Sequence, residues 1–309
     1  MNSKNFFVTG GAGFIGSNVV KLLLEKKCNV TIYDNLSTGY LENIKDISKV
    51  SFIEGDILDK EKLISTSKEQ DVVLHLAANI GNVKSLNDPW FDSSINIIGT
   101  LNVLDACKKN KINKLVYSSS AAIFGELMYQ PIDEKHPIEP DSPYGVSKLA
   151  AEKHCLWFGR HFNIKTVALR YFNVYGVNQR YDSYGNVIPI WANLILRGDP
   201  IIIYDDGEQT RDFINVEDVA LANYLAATNE NVQGPYNLGS GSSVTINQLA
   251  DMMIEVFNSN TQKIYTAKRL GEIRHCKADV KKASTDFGFR NTIGLKEGLY
   301  NYYKWLKRQ

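Results

Sequence analysis

The stretch Asn5-Phe6-Phe7-Val8-Thr9-Gly10-Gly11-Ala12-Gly13-Phe14-Ile15-Gly16 reads as a short buried strand that runs through a glycine turn into a helix. Gly10 and Gly13, having no side chains, let the backbone approach a pyrophosphate, and Gly16 lets the helix pack close to the strand. The helix start offers free N–H groups and the positive end of a dipole to a phosphate. Ile15, Val19, Leu22 and Leu23 give the helix one apolar face. A second strand over 29–33 ends at Asp34, about twenty residues downstream, where a carboxylate can accept hydrogen bonds from an adenosine ribose. That placement favours NAD over NADP.

The 309 residues can bury one large core or two modest ones, and 44% hydrophobic with 22% charged residues is an ordinary globular composition. Thirty-five basic against thirty-four acidic residues leave a formal charge of +1, so electrostatics give no reason to expect nucleic acid or an anionic membrane as partner. Cys28, Cys107, Cys155 and Cys276 are far apart and form no C-x-x-C pair, which points away from disulfides and zinc and towards a reducing cytoplasm. No apolar run approaches the ~20 residues of a membrane span. His154 and His161 share a helix face without a third ligand, so no metal site is expected.

Further strands are expected at 50–54, 71–76, 114–117 and 165–170, with helical patterns between most of them. Alternation of this kind implies a parallel sheet covered on both faces, with ligands across the carboxyl ends of its strands. Asp56 and Ile57 follow the third strand, where a carboxylate can meet an adenine edge. Ala77 and Ala78 follow the fourth, where small side chains let a cofactor lie close. The expected fold is α/β, a doubly wound parallel sheet of Rossmann type with a smaller C-terminal α/β unit. The NAD-binding part is assigned to 1–176, with 213–227 returning to it, and the substrate part to 177–309.

Tyr144 and Lys148 stand four apart, so on a helix they share a face. A free phenol titrates near ~10, and a neighbouring ammonium and a positively charged nicotinamide both favour its deprotonation. Tyr144 could then take a proton from a sugar hydroxyl. Ser118, Ser119 and Ser120 follow the fifth strand, where a hydroxyl can share that proton.

The spacing Gly10-x-x-Gly13-x-x-Gly16 resembles the extended short-chain dehydrogenase/reductases. Together with Tyr33 to Gly39, the serine run ending at Gly125, Tyr144 to Lys148 and Arg170 to Gly176, the chain resembles the UDP-sugar 4-epimerases over nearly its whole length. The resemblance implies NAD as cofactor and a UDP-sugar as substrate. It implies Tyr144 as base, Lys148 as its lysine and Ser120 as the active-site hydroxyl. Phe14, Ile15, Asn35, Asn96 and Ser118 would stand near the cofactor. Asn173, Asn186, Val187, Arg211, Arg269 and Glu272 would hold the nucleotide diphosphate, the arginines by their bidentate forks.

Related dehydratases carry an acid beside the active-site hydroxyl, where this chain has Ala121-Ala122. The resemblance therefore implies 4-epimerisation, with a 4,6-dehydratase and a non-catalytic NAD sensor as weaker alternatives. Asn82 can bond a sugar hydroxyl, amide or carboxylate, which keeps UDP-glucuronate open. Cys276 stands where relatives restricted to unsubstituted hexoses have a tyrosine against the sugar's 2-position, so an N-acetyl group is expected to fit. The resemblance also implies a homodimer through a four-helix bundle, to which Leu101, Leu104, Leu149, Leu156, Trp157 and Phe158 could contribute apolar surface unless they belong to the monomer core.

Overall fold

The computed structural model describes residues 4–44, 50–182, 185–268 and 273–309. The first half runs β1 (Asn5–Thr9), α1 (Phe14–Glu25), β2 (Asn29–Asp34), β3 (Val50–Glu54), α2 (Lys60–Thr66), β4 (Val72–His75), α3 (Asn82–Asn87) and α4 (Pro89–Ser93). A π-helical turn, Ser94–Gly99, leads into α5 (Thr100–Lys109), followed by β5 (Lys114–Ser120), α6 (Pro143–Phe162) and β6 (Lys165–Tyr171). The second half runs β7 (Asn173–Tyr175), α7 (Val187–Arg197), β8 (Ile201–Tyr204), β9 (Thr210–Arg211), β10 (Phe213–Asn215) and α8 (Val216–Thr228). It ends with β11 (Gly234–Leu238), β12 (Val244–Thr245), α9 (Ile246–Val256), β13 (Lys263–Thr266), α10 (Lys281–Phe287) and α11 (Leu295–Leu306).

The main sheet has the order β11-β6-β5-β4-β1-β2-β3, and all its pairs are parallel. Alternate residues of β1 face opposite layers, as the pleat requires. Phe6 and Val8 pack with Val19 and Leu23 of α1 and Val219 and Ala222 of α8, whereas Phe7 packs with Leu63 of α2, Leu104 of α5 and Cys155 of α6. Burying each such side chain contributes about 1.5–3 kcal/mol. Because both faces are covered, the strands read as continuous apolar runs. A separate core joins Trp191 of α7, Met253 of α9 and Leu299 of α11 to Ile201 and Ile203 of β8. No described helix is long and apolar enough to cross a membrane.

One detail departs from the sequence reading. The seventh strand, β11, lies inside the 177–309 stretch assigned to the substrate unit, yet it pairs with β6 at the edge of the main sheet. Its sequence Gly-Pro-Tyr-Asn-Leu hides it, and the proline is tolerated because an edge strand leaves some N–H positions unpaired. Of the residues left open between dimer surface and monomer core, Leu104 is fully buried against the sheet and belongs to the core. Exposed apolar groups on α4, the π-helical turn and α6 are instead Trp90 (84% exposed), Phe91, Ile98, Val146 and Trp157.

One buried ion pair ties α6 to the sheet. Arg170 on β6 donates from Nη2 to Glu152 Oε1 at 2.7 Å and from Nε to Oε2 at 3.1 Å, and both side chains are almost wholly covered. Ser119 Oγ donates to the same carboxylate at 2.5 Å, and the guanidinium lies over the Phe124 ring. Removing one partner strands a buried charge, so Glu152→Ala is expected to lower stability by about 3–5 kcal/mol. Urea unfolding checks this, with the Glu152→Leu/Arg170→Met double variant expected to lose less than Glu152→Ala.

Candidate active site

The strand order reverses between β1 and β4, and in open α/β sheets the crevice at such a reversal takes the ligand. Gly10, just past β1, has φ +72°, and a Cβ there would stand 2.6 Å from the Ala77 backbone nitrogen beyond β4. A Cβ on Gly16 would reach within 2.0 Å of the Gly10 carbonyl, so α1 can start this close to the turn only with glycine. Phe14 and Ile15 form the first turn of α1, whose cap, Gly13, supplies no side-chain hydrogen bond. By contrast, α2 is capped by the Asp59 side chain and α6 by that of Ser142, although α3, α7 and α11 also lack a side-chain cap. The first N–H groups of α1 thus remain for an anion, and this cradle fits a dinucleotide pyrophosphate.

Asp34, at the end of β2, accepts from Ala12 N through Oδ2 and from Leu36 N through Oδ1, both at 2.9 Å. Burial pushes its carboxyl pKa up, and these two backbone bonds pull the other way. Asp34 therefore shapes the glycine turn as well as standing where a ribose is expected. Asn35 donates to Asp56 Oδ2 at 2.9 Å, which joins the ends of β2 and β3, while Ile57 is buried against the sheet. At the end of β4, His75 is bonded to Thr9 Oγ1 and Thr100 Oγ1, and burial lowers its pKa to about 3, so it stays neutral.

Ser142 caps α6 by accepting from Gly145 N, with Pro143 opening the helix. Tyr144 follows, its backbone N–H donating to Ser85 Oγ of α3 at 3.0 Å. Lys148, one turn on, is 2% exposed, and its Nζ lies 4.6 Å from the Tyr117 ring centroid. Burial lowers its pKa to about 8, against upward contributions from Cys155, Asp92 and Glu152. Burial pushes the Tyr144 phenol up to about 12, with a hydrogen bond from Ser120 working the other way. Deprotonation of Tyr144 therefore has to overcome the desolvation of the phenolate. Ser120, at the end of β5, also accepts from Ala122 N at 3.1 Å. Ser118, a near neighbour on β5, is buried.

Asn82, at the start of α3, accepts from Ser142 Oγ at 3.3 Å, which sets it beside the Tyr144 turn. Asn96 is buried in the π-helical turn and donates to Ser147 Oγ and to the Asn79 carbonyl. Asn173 donates to the Asp212 carbonyl, next to Arg211, and Arg211 in turn influences the Cys276 thiol electrostatically. Cys276 is 8% exposed and belongs to one small apolar cluster with Ile123, Phe124 and Phe172. Asn186 caps α7 and Val187 begins it. Arg269 and Glu272 lie outside the described residues.

Sequence reading missed Ser85, Asp92 and Ser147. Only the Ser142-Pro143 start of α6 carried a local signal, and the partners of the other three lie far away in the chain. The geometry nonetheless gathers a glycine cradle, a half-buried phenol with a buried ammonium one turn on, and a hydroxyl bonded to the phenol.

Comparison with known proteins agrees with that arrangement. Residues 6–239 match the model of the NAD dependent epimerase/dehydratase family. A UDP-glucose 4-epimerase of Halalkalibacterium halodurans is 34% identical over 97% of this chain and 95% of its own length. The solved UDP-N-acetylglucosamine 4-epimerase of Methanobrevibacter ruminantium M1, in complex with UDP-N-acetylmuramic acid, is 37% identical over the whole of both chains with a TM-score of 0.95. The solved UDP-glucose 4-epimerase of Thermotoga maritima, with UDP-glucose, is 34% identical over 98% of this chain and 99% of its own, with a TM-score of 0.93. With its glycine cradle, its switch-point crevice and a family match over most of its length, the chain belongs to the NAD-dependent epimerase/dehydratase family.

Proposed function

We propose that this NAD-dependent UDP-sugar 4-epimerase interconverts UDP-N-acetylglucosamine and UDP-N-acetylgalactosamine, with UDP-glucose and UDP-galactose as a second pair. The reading is supported by the hydrogen bond between Ser120 and the Tyr144 phenol, with Lys148 one turn further along α6 and alanines following the hydroxyl. Ser120 and Tyr144 share the proton of the sugar 4-hydroxyl, Tyr144 takes it, and Lys148 supplies positive charge near the phenol. NAD, when bound, accepts and returns the C4 hydride, and its oxidised ring adds the second positive charge that the phenolate needs. The 4-keto sugar turns between the two transfers, so the nucleotide must be held firmly and the sugar loosely. Asn173, Asn186, Val187, Arg211, Arg269 and Glu272 serve the nucleotide, and Asn82 and Cys276 face the sugar. The glycine turn, Phe14, Ile15, Asp34, Asn35, Asp56, Ile57, Ala77, Ala78, Asn96 and Ser118 serve NAD.

The choice of sugar rests on Cys276, a small buried thiol clustered with Ile123, three residues after Ser120. The 37% identical relative named as a UDP-N-acetylglucosamine 4-epimerase supports the same choice. The reading includes a homodimer, because Trp90, Phe91, Ile98 and Trp157 leave apolar surface exposed on neighbouring helices.

Three outcomes are expected. Tyr144→Phe lowers turnover by ~10²–10⁴ while calorimetry still detects UDP-sugar binding, since it removes a proton acceptor and little volume. Cys276→Tyr suppresses turnover of the N-acetylated pair and spares UDP-glucose, measured by resolving the epimers; equal loss of both removes Cys276 as the selecting residue. In sedimentation the wild type runs as a dimer at micromolar concentration, and Ile98→Glu/Trp157→Glu runs as a monomer.

A further inference from the structure

Behind the Tyr144 turn lies a buried acid that the reaction as described does not use. Asp92, in α4, has no exposed surface. Its Oδ2 accepts from Ser147 Oγ at 2.5 Å, and its Oδ1 accepts from Asn79 Nδ2 at 2.9 Å and from Asn96 Nδ2 at 3.2 Å. Asn96 Oδ1 in turn accepts from the Asn79 backbone N–H, so the three residues close on one another. Ser147 sits between Tyr144 and Lys148 in one helical turn, and its Oγ is also 3.0 Å from the Tyr144 carbonyl oxygen. Among the described residues no cation pairs with Asp92.

A buried carboxylate without a paired cation is costly even when its hydrogen bonds are satisfied. An uncharged side chain could fill the same space, so the charge calls for a reason. The cation within its field is the Lys148 ammonium, itself buried without a hydrogen-bonded partner among the described residues. We propose that Asp92 is a positioning residue for the epimerase reaction: through Ser147 it fixes the turn that carries Tyr144 and Lys148, and its charge sets the field in which both groups hold their protons.

This rests on the reading of Tyr144 as base and Lys148 as its partner. The other groups facing the pair are Tyr117 of β5 under the ammonium, Ser120 bonded to the phenol, neutral His75 of β4, and Cys155 and Glu152 of α6. Glu152 is neutralised by Arg170, which leaves Asp92 as the uncompensated anion among them. Its charge adds to burial in raising the Tyr144 pKa, and it opposes burial at Lys148.

Asp92→Asn separates charge from geometry. The amide oxygen can keep both asparagine donors, and the new NH₂ can donate to Ser147 Oγ, whose hydroxyl then turns to the Tyr144 carbonyl. Because removing the anion lowers the proton affinity of both groups, both limbs of the kcat–pH profile should move to lower pH by roughly half a unit or more. Tyrosinate difference absorbance, taken against a Tyr144→Phe background, should move the same way, and it reads the phenol without turnover. Limbs and absorbance unmoved in a folded variant overturn the role of the charge.

Ser147→Ala keeps the charge and cuts the link. It should lower kcat several-fold with the limbs in place, and wild-type kcat would overturn the positioning role even if Asp92→Asn fails to fold. Absence of wild-type turnover on every UDP-hexose would instead defeat the functional reading on which this rests, whatever the absorbance shows.

Discussion

The Glu152–Arg170 pair settles where α6 lies along the sheet, and the chemistry depends on that placement. A helix packed only by apolar contact could slide or rotate on a smooth sheet face at little cost. A side-on guanidinium–carboxylate pair tolerates neither, since each of its two bonds has its own direction and water cannot substitute for a lost one. Ser119 joins the same carboxylate, so its chain neighbour Ser120 is held in step with the helix. Tyr144 and Lys148, two turns and one turn before Glu152 on the same helix, are positioned along with it.

Much of this was legible in the sequence, for identifiable reasons. Strands β1, β4 and β6 are buried on both faces and so appear as unbroken apolar runs. The nucleotide cradle was legible because glycine does there what no other residue can. Tyr144 and Lys148 were legible because helical spacing alone puts them on one face. What stayed hidden depends on distance along the chain or on the surrounding medium. Asp92 gains its meaning from Ser147, 55 residues away, and no local pattern announces it. Helical spacing gives the proximity of Lys148 to Tyr144 but says nothing of the desolvation that raises the phenol's pKa. Leu104 has the periodicity of a helix face, yet periodicity does not say which face meets the sheet.

The two ends of the crevice are built on different principles. On the cofactor side the backbone does most of the work, through glycines, an uncapped helix start and the Asp34 bonds that hold the turn in shape. On the reacting side, side chains from α3, α4, α6 and β5 interlock in a covered layer. The first arrangement suits a ligand gripped by its phosphates; the second suits groups whose proton affinities must be set by their surroundings.

The recruitment of β11 to the main sheet bears on how the protein is made. While residues up to Gly176 emerge from the ribosome, the nascent sheet has six strands and an open edge at β6, with much of one face uncovered. Val216 to Ala227 of α8 cover that face, β11 pairs with β6 and becomes the edge strand in its place, and Phe287 and Phe289 complete the same core. An unpaired parallel edge invites pairing with other chains. The nucleotide-binding half therefore draws on nearly the whole polypeptide for its sheet and its core, and a chain cut at Gly176 would lack both the seventh strand and the helix that covers one face.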